Sequence, residues 1–167
     1  MSAPATGYLG LGSNVGDRFA HLRGAIAGLR GAGIEVEAVS RAYETEPVGE
    51  ILEQPDFLNA AIRIRTGLDP IDLLDACKAV EAEEGRSFDG PRHGPRPLDV
   101  DLLLLGGMEL RSERLTLPHP EVTSRRFVLV PLLELDPGLA LPDGTSLATA
   151  LERVEGERVE PAGHLDS

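Results

Sequence analysis

A chain of 167 residues, 41% apolar and 26% charged, has the composition of one soluble globular domain spanning residues 1–167. At this length roughly 70% of the unfolded surface can be buried, so no covalent staple is needed. The net charge of −12 argues against nucleic acid or an anionic membrane as partner.

The opening stretch MSAPATGYLGLGSN has neither the basic start nor the apolar core of a secretory signal. No apolar run approaches the ~18 residues of a membrane span. A lone cysteine, Cys77, excludes an internal disulfide and reads as a small hydrophobe on a helix face. A cytoplasmic protein is expected.

The glycine-bounded residues 7–12, GYLGLG, predict a first strand. From Asp17 to Arg30, Phe19, Leu22, Ile26 and Leu29 recur at helical spacing, and Gly31 and Gly33 supply the stop. Ile34, Val36 and Ala38 alternate with Glu35 and Glu37 in a half-buried strand reaching about Tyr43. Leu58, Ala60, Ile62 and Ile64 alternate with Asn59, Arg63 and Arg65 in a third strand. In LDPIDLLDACKAVEAEEG, Asp69 suits the N-cap, Pro70 the first helical position, Asp72 the first turn and Gly85 the stop. Leu98 to Leu105 reads as a fourth strand.

That order, β-α-β-β-α-β, is the ferredoxin-like arrangement, an α+β sandwich with the helices on one face of the sheet. A strand or turn around Leu110–Leu117, a short helix near Glu121–Arg126 and a helix after Pro142-Asp143-Gly144 complete a core over residues 7–152. The polar residues 153–167 are expected to fray. The connections 44–56 (ETEPVGEILEQPD) and 86–97 (RSFDGPRHGPRP) are longer than the elements require, as binding loops and tolerated insertions both are.

Asp99 and Asp101 open the fourth strand and, with Leu103 and Leu105, point to one side of it. Leu98, Val100, Leu102 and Leu104 line the other side, toward the helices. Adjacent carboxylates repel, and a divalent cation relieves that cost; magnesium favours one or two carboxylates together with water and substrate phosphate. A bare D-x-D also fits two solvated aspartates. The basic residues around it give the pair meaning: fifteen arginines against the single Lys78, concentrated at Arg86, Arg92 and Arg96 with His93, and at Arg111, Arg114, Arg125 and Arg126. Carboxylates for metal beside guanidiniums for phosphate are the parts phosphoryl transfer uses.

Other signals are individually weaker. No Walker A sequence is present, and Gly10, Gly12 and Gly16 miss the dinucleotide fingerprint by one residue, although a helix starting near residue 16 suits an anion as well as a tight turn closed by Asn14. Phe57 and Asn59 share a strand face and suit a flat heterocycle, or simply an exposed edge. His119, between Pro118 and Pro120, is placed either to orient a phosphate or to serve structure. Glu81, Glu83 and Glu84 crowd a helix C-terminus that the macrodipole makes unfavourable for them.

Taken in order, YLGLGSNVGDR, YETEPVG, QPDFLNAAI, GPRPLDVDLLL and LPHPEVTSRRFVLVPLLEL, over about residues 7–143, resemble the 6-hydroxymethyl-7,8-dihydropterin pyrophosphokinases of folate biosynthesis. The resemblance implies transfer of the β,γ-pyrophosphoryl group of ATP to the pterin hydroxymethyl oxygen, with two Mg²⁺ ions and release of AMP. It implies Asp99 and Asp101 as metal ligands, and Arg86 and Arg96 as the catalytic residues on the transferring phosphates. Arg114, Thr116, His119 and Arg125 fall on the ATP side; Phe57 and Phe127 resemble the aromatics that sandwich the pterin. Asn59, with the backbone around Thr45 and Val48, resembles its hydrogen-bonding edge, Asn14 supports that pocket, and Glu81 matches a position near the site. ATP and a reduced pterin are the expected partners of a monomer.

The chain departs from the family pattern at His93 and Pro97, where Trp and Thr are common. Asp89 replaces a common basic residue and Glu46 a common proline, changes that bear on loop closure more than on the reaction. Two rival readings are a dinucleotide-dependent reductase built on the Gly10–Gly16 turn and a non-catalytic ligand-sensing module.

Overall fold

The computed structural model describes residues 4–46, 55–84, 97–156 and 158–165. Val48, Arg86, Asp89, His93 and Arg96 lie outside the described residues. In chain order the elements are β1 (Ala5–Ser13), α1 (Arg18–Gly31), β2 (Glu35–Val39), β3 (Ala42–Thr45), β4 (Phe57–Thr66) and α2 (Pro70–Glu83). There follow β5 (Asp99–Leu105), β6 (Leu110–Arg111), β7 (Thr116–Leu117), α3 (Arg126–Leu135), α4 (Leu147–Arg153) and β8 (Val159–Gly163).

The local signals act as expected. Asp17 caps α1 by accepting the Ala20 N–H at 3.0 Å, and Gly33 takes a left-handed φ of 84° just beyond the helix. Leu22, Ala25, Ile26 and Leu29 form its buried stripe. Burying a leucine of this kind contributes about 1.5–3 kcal/mol. Pro70 opens α2, whose Leu73, Cys77 and Val80 face the same core.

The main sheet runs β5-β1-β4-β3-β8, with β2 also on β4, and every pairing is antiparallel. Counting β2 and β3 as the one strand predicted for residues 34–43, this is the ferredoxin-like order. The predicted strand divides because Ser40 turns it: its N–H donates to the Ala61 carbonyl and its hydroxyl accepts the Ala61 N–H, both at 2.9 Å. The buried hydroxyl thus replaces the ladder bonds lost at the break.

Three expectations change. First, helices cover both faces of the sheet. Leu9, Leu11, Leu58, Ile62 and Val100 pack with α1 and α2, while Tyr8, Ala61, Leu103 and Leu104 pack with α3 and α4. Second, the short helix expected near Glu121–Arg126 is displaced: residues 120–124 are turns and the helix starts at Arg126, where the buried Leu129 and Leu132 hold it to the sheet with Pro131 inside it. Glu134 accepts the Arg41 N–H at 3.0 Å and the Tyr43 hydroxyl, and Tyr8 donates to Asp136 at 3.0 Å.

Third, the C-terminal residues are not frayed at 159–163, where β8 pairs with β3. Leu165 is only 5% exposed and joins the core, and Arg23 donates to its carbonyl at 3.4 Å. An edge strand is naturally polar, which is why its composition reads as tail. Ending the chain at Gly156 should lower the melting temperature by about 5–10 °C in a circular-dichroism melt, from lost Leu165 burial and a bared β3 edge. An unchanged melting temperature would restore the frayed-tail reading.

Candidate active site

The face of the sheet opposite α1 and α2 is covered by α3 and α4 toward Tyr8 and Leu104. The site residues collect at the other end, where β1 and β3 finish and β4 and β5 begin. Cross-strand register puts Asp99, Gly12, Asn59 and Tyr43 in one row, each opposite the next. The next row along carries Asp101, Gly10 and Ala61. Directly opposed residues share a face, so both aspartates and Asn59 project to the same side.

Glycine matters at one point in this row. A Cβ on Gly12 would stand 2.6 Å from Asn59 Oδ1 and 3.7 Å from Phe57 Cδ1, whereas one on Gly10 would meet only the Leu103 side chain, at 3.4 Å. The Asn59 amide therefore lies across Gly12. Its Nδ2 donates to Thr45 Oγ1 at 2.6 Å, joining β4 to β3 within buried surroundings. Phe57 follows on the same face, half-buried, opposite Thr45. Asn14 bonds across the site: its Nδ2 donates to the Pro55 carbonyl at 3.0 Å, tying the end of β1 to the approach to β4.

Along β5 the alternation predicted for Leu102 to Leu105 fails. Tyr8 pairs with Leu104 but Leu9 pairs with Leu102, so Leu103 bulges. Leu103 and Leu104 consequently both enter the α3–α4 core, and Leu105 turns to the α1–α2 side. The bulged Leu103 carbonyl accepts the His119 N–H at 2.9 Å, which docks the Leu117–Pro120 turn, with its cis Leu117–Pro118 bond, on β5.

That docking closes a cleft of about 250 Å³ lined by Lys78, Asp101, Leu102, Arg114, Thr116 and His119, among others. Arg114 and Thr116 reach it from the β6–β7 hairpin, whose turn is closed by Ser112 accepting the Leu115 N–H at 3.1 Å. Arg114 also pairs with Asp75 at 2.5 Å, both side chains largely exposed. Arg125 precedes α3 and pairs with Glu121 at 3.3 Å; Phe127, half-buried, lies in the first turn of α3. The structure thus gathers Asp101, Arg114, Thr116 and His119 around one cleft, and Asp99, Asn59, Phe57 and Thr45 beside it. Arg125 is not among the cleft-lining residues.

The His119 ring is fixed: Nδ1 accepts the Glu121 N–H at 3.1 Å, which leaves the neutral ring's proton on Nε2. Burial lowers its pKa from the ordinary 6.5, only partly opposed by the Glu121 carboxylate, so the ring is neutral at pH 7 and presents a donor. Because the folded value is depressed, its contribution to stability is fully present above about pH 6.5 and lost as the pH falls through the folded value. An NMR titration should place the His119 midpoint below 6.5. A midpoint above it would mean an anionic partner for Nε2. The Cys77 thiol is pushed up to about 12 by burial, then by the charges of Glu81 and Asp101, and is no nucleophile.

Lys78 and Leu102 were not expected in the cleft. Lys78 is the chain's only lysine and stands one turn beyond Leu74 on α2, a placement visible once α2 is known to face β5. Among the described residues, no cluster of three or more His, Cys, Asp or Glu could cage a metal alone. Two carboxylates on one face, one of them lining a cleft that also carries Lys78, Arg114 and Glu113, fit an ion that arrives with phosphate and keeps some of its water.

The antiparallel surroundings of β1 also dispose of the reductase reading. Gly10 and Gly12 lie within the strand, whose neighbours β4 and β5 are both antiparallel to it, whereas a dinucleotide fold needs parallel βαβ units. Residues 8–137 match the model of the 7,8-dihydro-6-hydroxymethylpterin-pyrophosphokinase (HPPK) family. The chain belongs to the HPPK family.

Its relatives include a 2-amino-4-hydroxy-6-hydroxymethyldihydropteridine pyrophosphokinase of Methylorubrum extorquens, 45% identical over 92% of this chain and 96% of that protein. A protein of the same name from Pseudomonas aeruginosa is 41% identical over 92% and 94%. The match to a folate synthesis bifunctional protein of Arabidopsis thaliana is 46% identical over 76% of this chain but only 26% of the longer one. Among solved structures, an HPPK-DHPS in complex with substrates superposes with a TM-score of 0.71 at 11% identity, over 91% of this chain and 43% of that one. At that identity the likeness is one of fold, and it agrees with the HPPK arrangement of sheet and helices described above.

Proposed function

We propose that this chain transfers the β,γ-pyrophosphoryl group of ATP to the hydroxymethyl oxygen of 6-hydroxymethyl-7,8-dihydropterin and releases AMP, a step of folate biosynthesis. The observation that carries the reading is positional. Asp101 lines the His119 cleft and Asp99 shares the Asn59 row, so the pair joins the two places where the substrates of such a transfer would meet.

In this reading the cleft holds ATP. Neutral His119 donates from Nε2, Thr116 offers its hydroxyl, Arg114 supplies positive charge from the wall, and Arg125, outside the lining residues, adds charge from the start of α3. Phe57 and Phe127 enclose the pterin ring, while Asn59, oriented by Thr45, reads its polar edge, with the backbone near Thr45 and Val48 adding bonds. Two Mg²⁺ ions held by Asp99 and Asp101 supply charge neutralisation on the phosphates and a template for in-line attack. The hydroxymethyl oxygen forms a bond to the β-phosphorus as the bridge to the α-phosphate breaks. AMP departs with the bridging oxygen, and the hydroxyl proton passes to water. Arg86 and Arg96, at the ends of the connection between α2 and β5, neutralise the charge that develops there.

Glu46 has a partner suited to its departure from the family proline: it accepts the Arg158 N–H at 2.9 Å, and Arg158 also pairs with Asp56. Both roots of the 47–54 connection are therefore held by β8 and its approach. A monomer acting in the cytoplasm belongs to the same proposal. The test supplies Mg²⁺, ATP and the reduced pterin alcohol. AMP and the pterin diphosphate are expected; ADP, or pterin binding without turnover, would overturn the reading, the latter in favour of a sensing module.

A further inference from the structure

Glu81 is the one charged side chain that is completely buried among the described residues, at 0% exposure. Its Oε2 accepts the Val100 N–H at 2.7 Å and its Oε1 lies 3.4 Å from Lys78 Nζ. Val100 is the residue between Asp99 and Asp101. In an antiparallel edge strand, alternate N–H groups turn away from the neighbour, and among the described residues β5 has β1 as its only neighbour in the sheet. Glu81 meets the outward N–H at the centre of the aspartate pair. β1 holds the same three residues from the other side through Gly12, Leu11 and Gly10.

Stability alone does not call for this arrangement. Burying a carboxylate to hold one N–H costs several kcal/mol in desolvation, and apolar replacements of buried ion pairs are often neutral or stabilising. What an ion pair with a directed hydrogen bond adds is position. Without it, the start of β5 keeps its ladder to β1 but loses the tie on its outer side, and a small tilt there redirects both carboxylates together.

We infer that Glu81 is a positioning residue, fixing the β5 backbone so that Asp99 and Asp101 present their carboxylates to the metal in one set geometry. The inference rests on the metal role proposed for those aspartates. It concerns a side chain that touches neither substrate nor ion and acts through the backbone of Val100.

The test is Mn²⁺ binding followed by electron paramagnetic resonance with a non-hydrolysable ATP analogue present. Glu81→Ala should weaken Mn²⁺ by about 10–100-fold, the usual effect of losing a group that orients metal ligands. Glu81→Gln, whose amide oxygen still accepts the Val100 N–H, should stay near the wild type. Pterin affinity without nucleotide should not move in either variant.

Wild-type Mn²⁺ affinity in Glu81→Ala, equal weakening in the Ala and Gln variants, or parallel loss of pterin affinity would each overturn the inference. Should the alanine variant not fold, Glu81→Asp keeps the charge but cannot reach Val100. It should show weakened Mn²⁺ and faster Val100 amide exchange than the wild type; unchanged values overturn the inference equally. Asp101→Ala in the same titration separates the two levels. If it binds Mn²⁺ like the wild type, the aspartate reading itself fails. If it loses Mn²⁺ while Glu81→Ala does not, only the Glu81 inference fails.

Discussion

Asp101→Ala and Asp99→Ala should each abolish measurable AMP formation, a loss of at least about 10³-fold, or roughly 4 kcal/mol of barrier, with the fold intact. The magnitude follows from what the carboxylates are asked to do. An ATP polyphosphate entering a protein of net charge −12 has to be neutralised locally, and two acidic side chains can do that only through a cation they share with it. Preservation of the fold follows from placement: Asp101 is exposed and Asp99 half-buried, while Val100 and Leu102 between and beyond them carry the packing.

Melting temperatures should therefore stay close to that of the wild type, since removing one of two neighbouring anions also relieves repulsion. The two variants should differ in which substrate they bind less well. Asp101 lines the His119 cleft, so its loss should weaken the metal–nucleotide complex, whereas Asp99 shares a row with Asn59 and its loss should also raise the pterin Kd in a direct binding titration. Turnover near the wild-type rate in either variant would remove the metal from the mechanism.

How much of this was readable beforehand depends on the range of the forces involved. The helices α1 and α2 and the strands β1, β4 and β5 follow from signals carried within each segment: the Asp17 cap, the Pro70 start, and the alternation of Leu58 to Ile64. The face shared by Asp99 and Asp101 was legible for the same reason, because strand alternation is local. The failures are all non-local.

Leu103 bulges because Tyr8 and Leu9 on another strand demand it, and Leu104 changes cores as a result. The helix expected near Glu121–Arg126 starts instead at Arg126, because Leu129 and Leu132 find the sheet beneath α3. Val159–Gly163 looks like a tail until β3 offers it an edge. Within the site, the residue types were legible but their partners were not. Asn59 could be seen to suit a heterocycle; that Gly12 must be bare to let its amide lie there appears only when β1 and β4 are paired. Glu81 looked misplaced at a helix C-terminus because the group it serves, the Val100 N–H, is 19 residues away in sequence.

Gly12→Ala should selectively disable the pterin side. The strand conformation tolerates alanine, so the effect comes from the new methyl group alone, 2.6 Å from Asn59 Oδ1, closer than a Cβ approaches a non-bonded atom. Either Asn59 rotates or β1 and β4 part. The second breaks a ladder paired from Ala5–Thr66 to Ser13–Leu58, so the amide gives way first. Rotation breaks the 2.6 Å bond to Thr45 in a buried setting, at a cost of about 1–3 kcal/mol, and takes away the polar edge offered to the pterin.

A pterin KM raised by about 10- to 100-fold is expected, with nucleotide affinity nearly unchanged because the His119 cleft lies beyond Asp99. Gly10→Ala is the control on the same strand and the same face: its methyl would only touch the Leu103 side chain at 3.4 Å, and both KM values should hold. Equal effects at the two glycines, or a Gly12→Ala defect in nucleotide binding, would show that the Asn59 amide does not read the pterin.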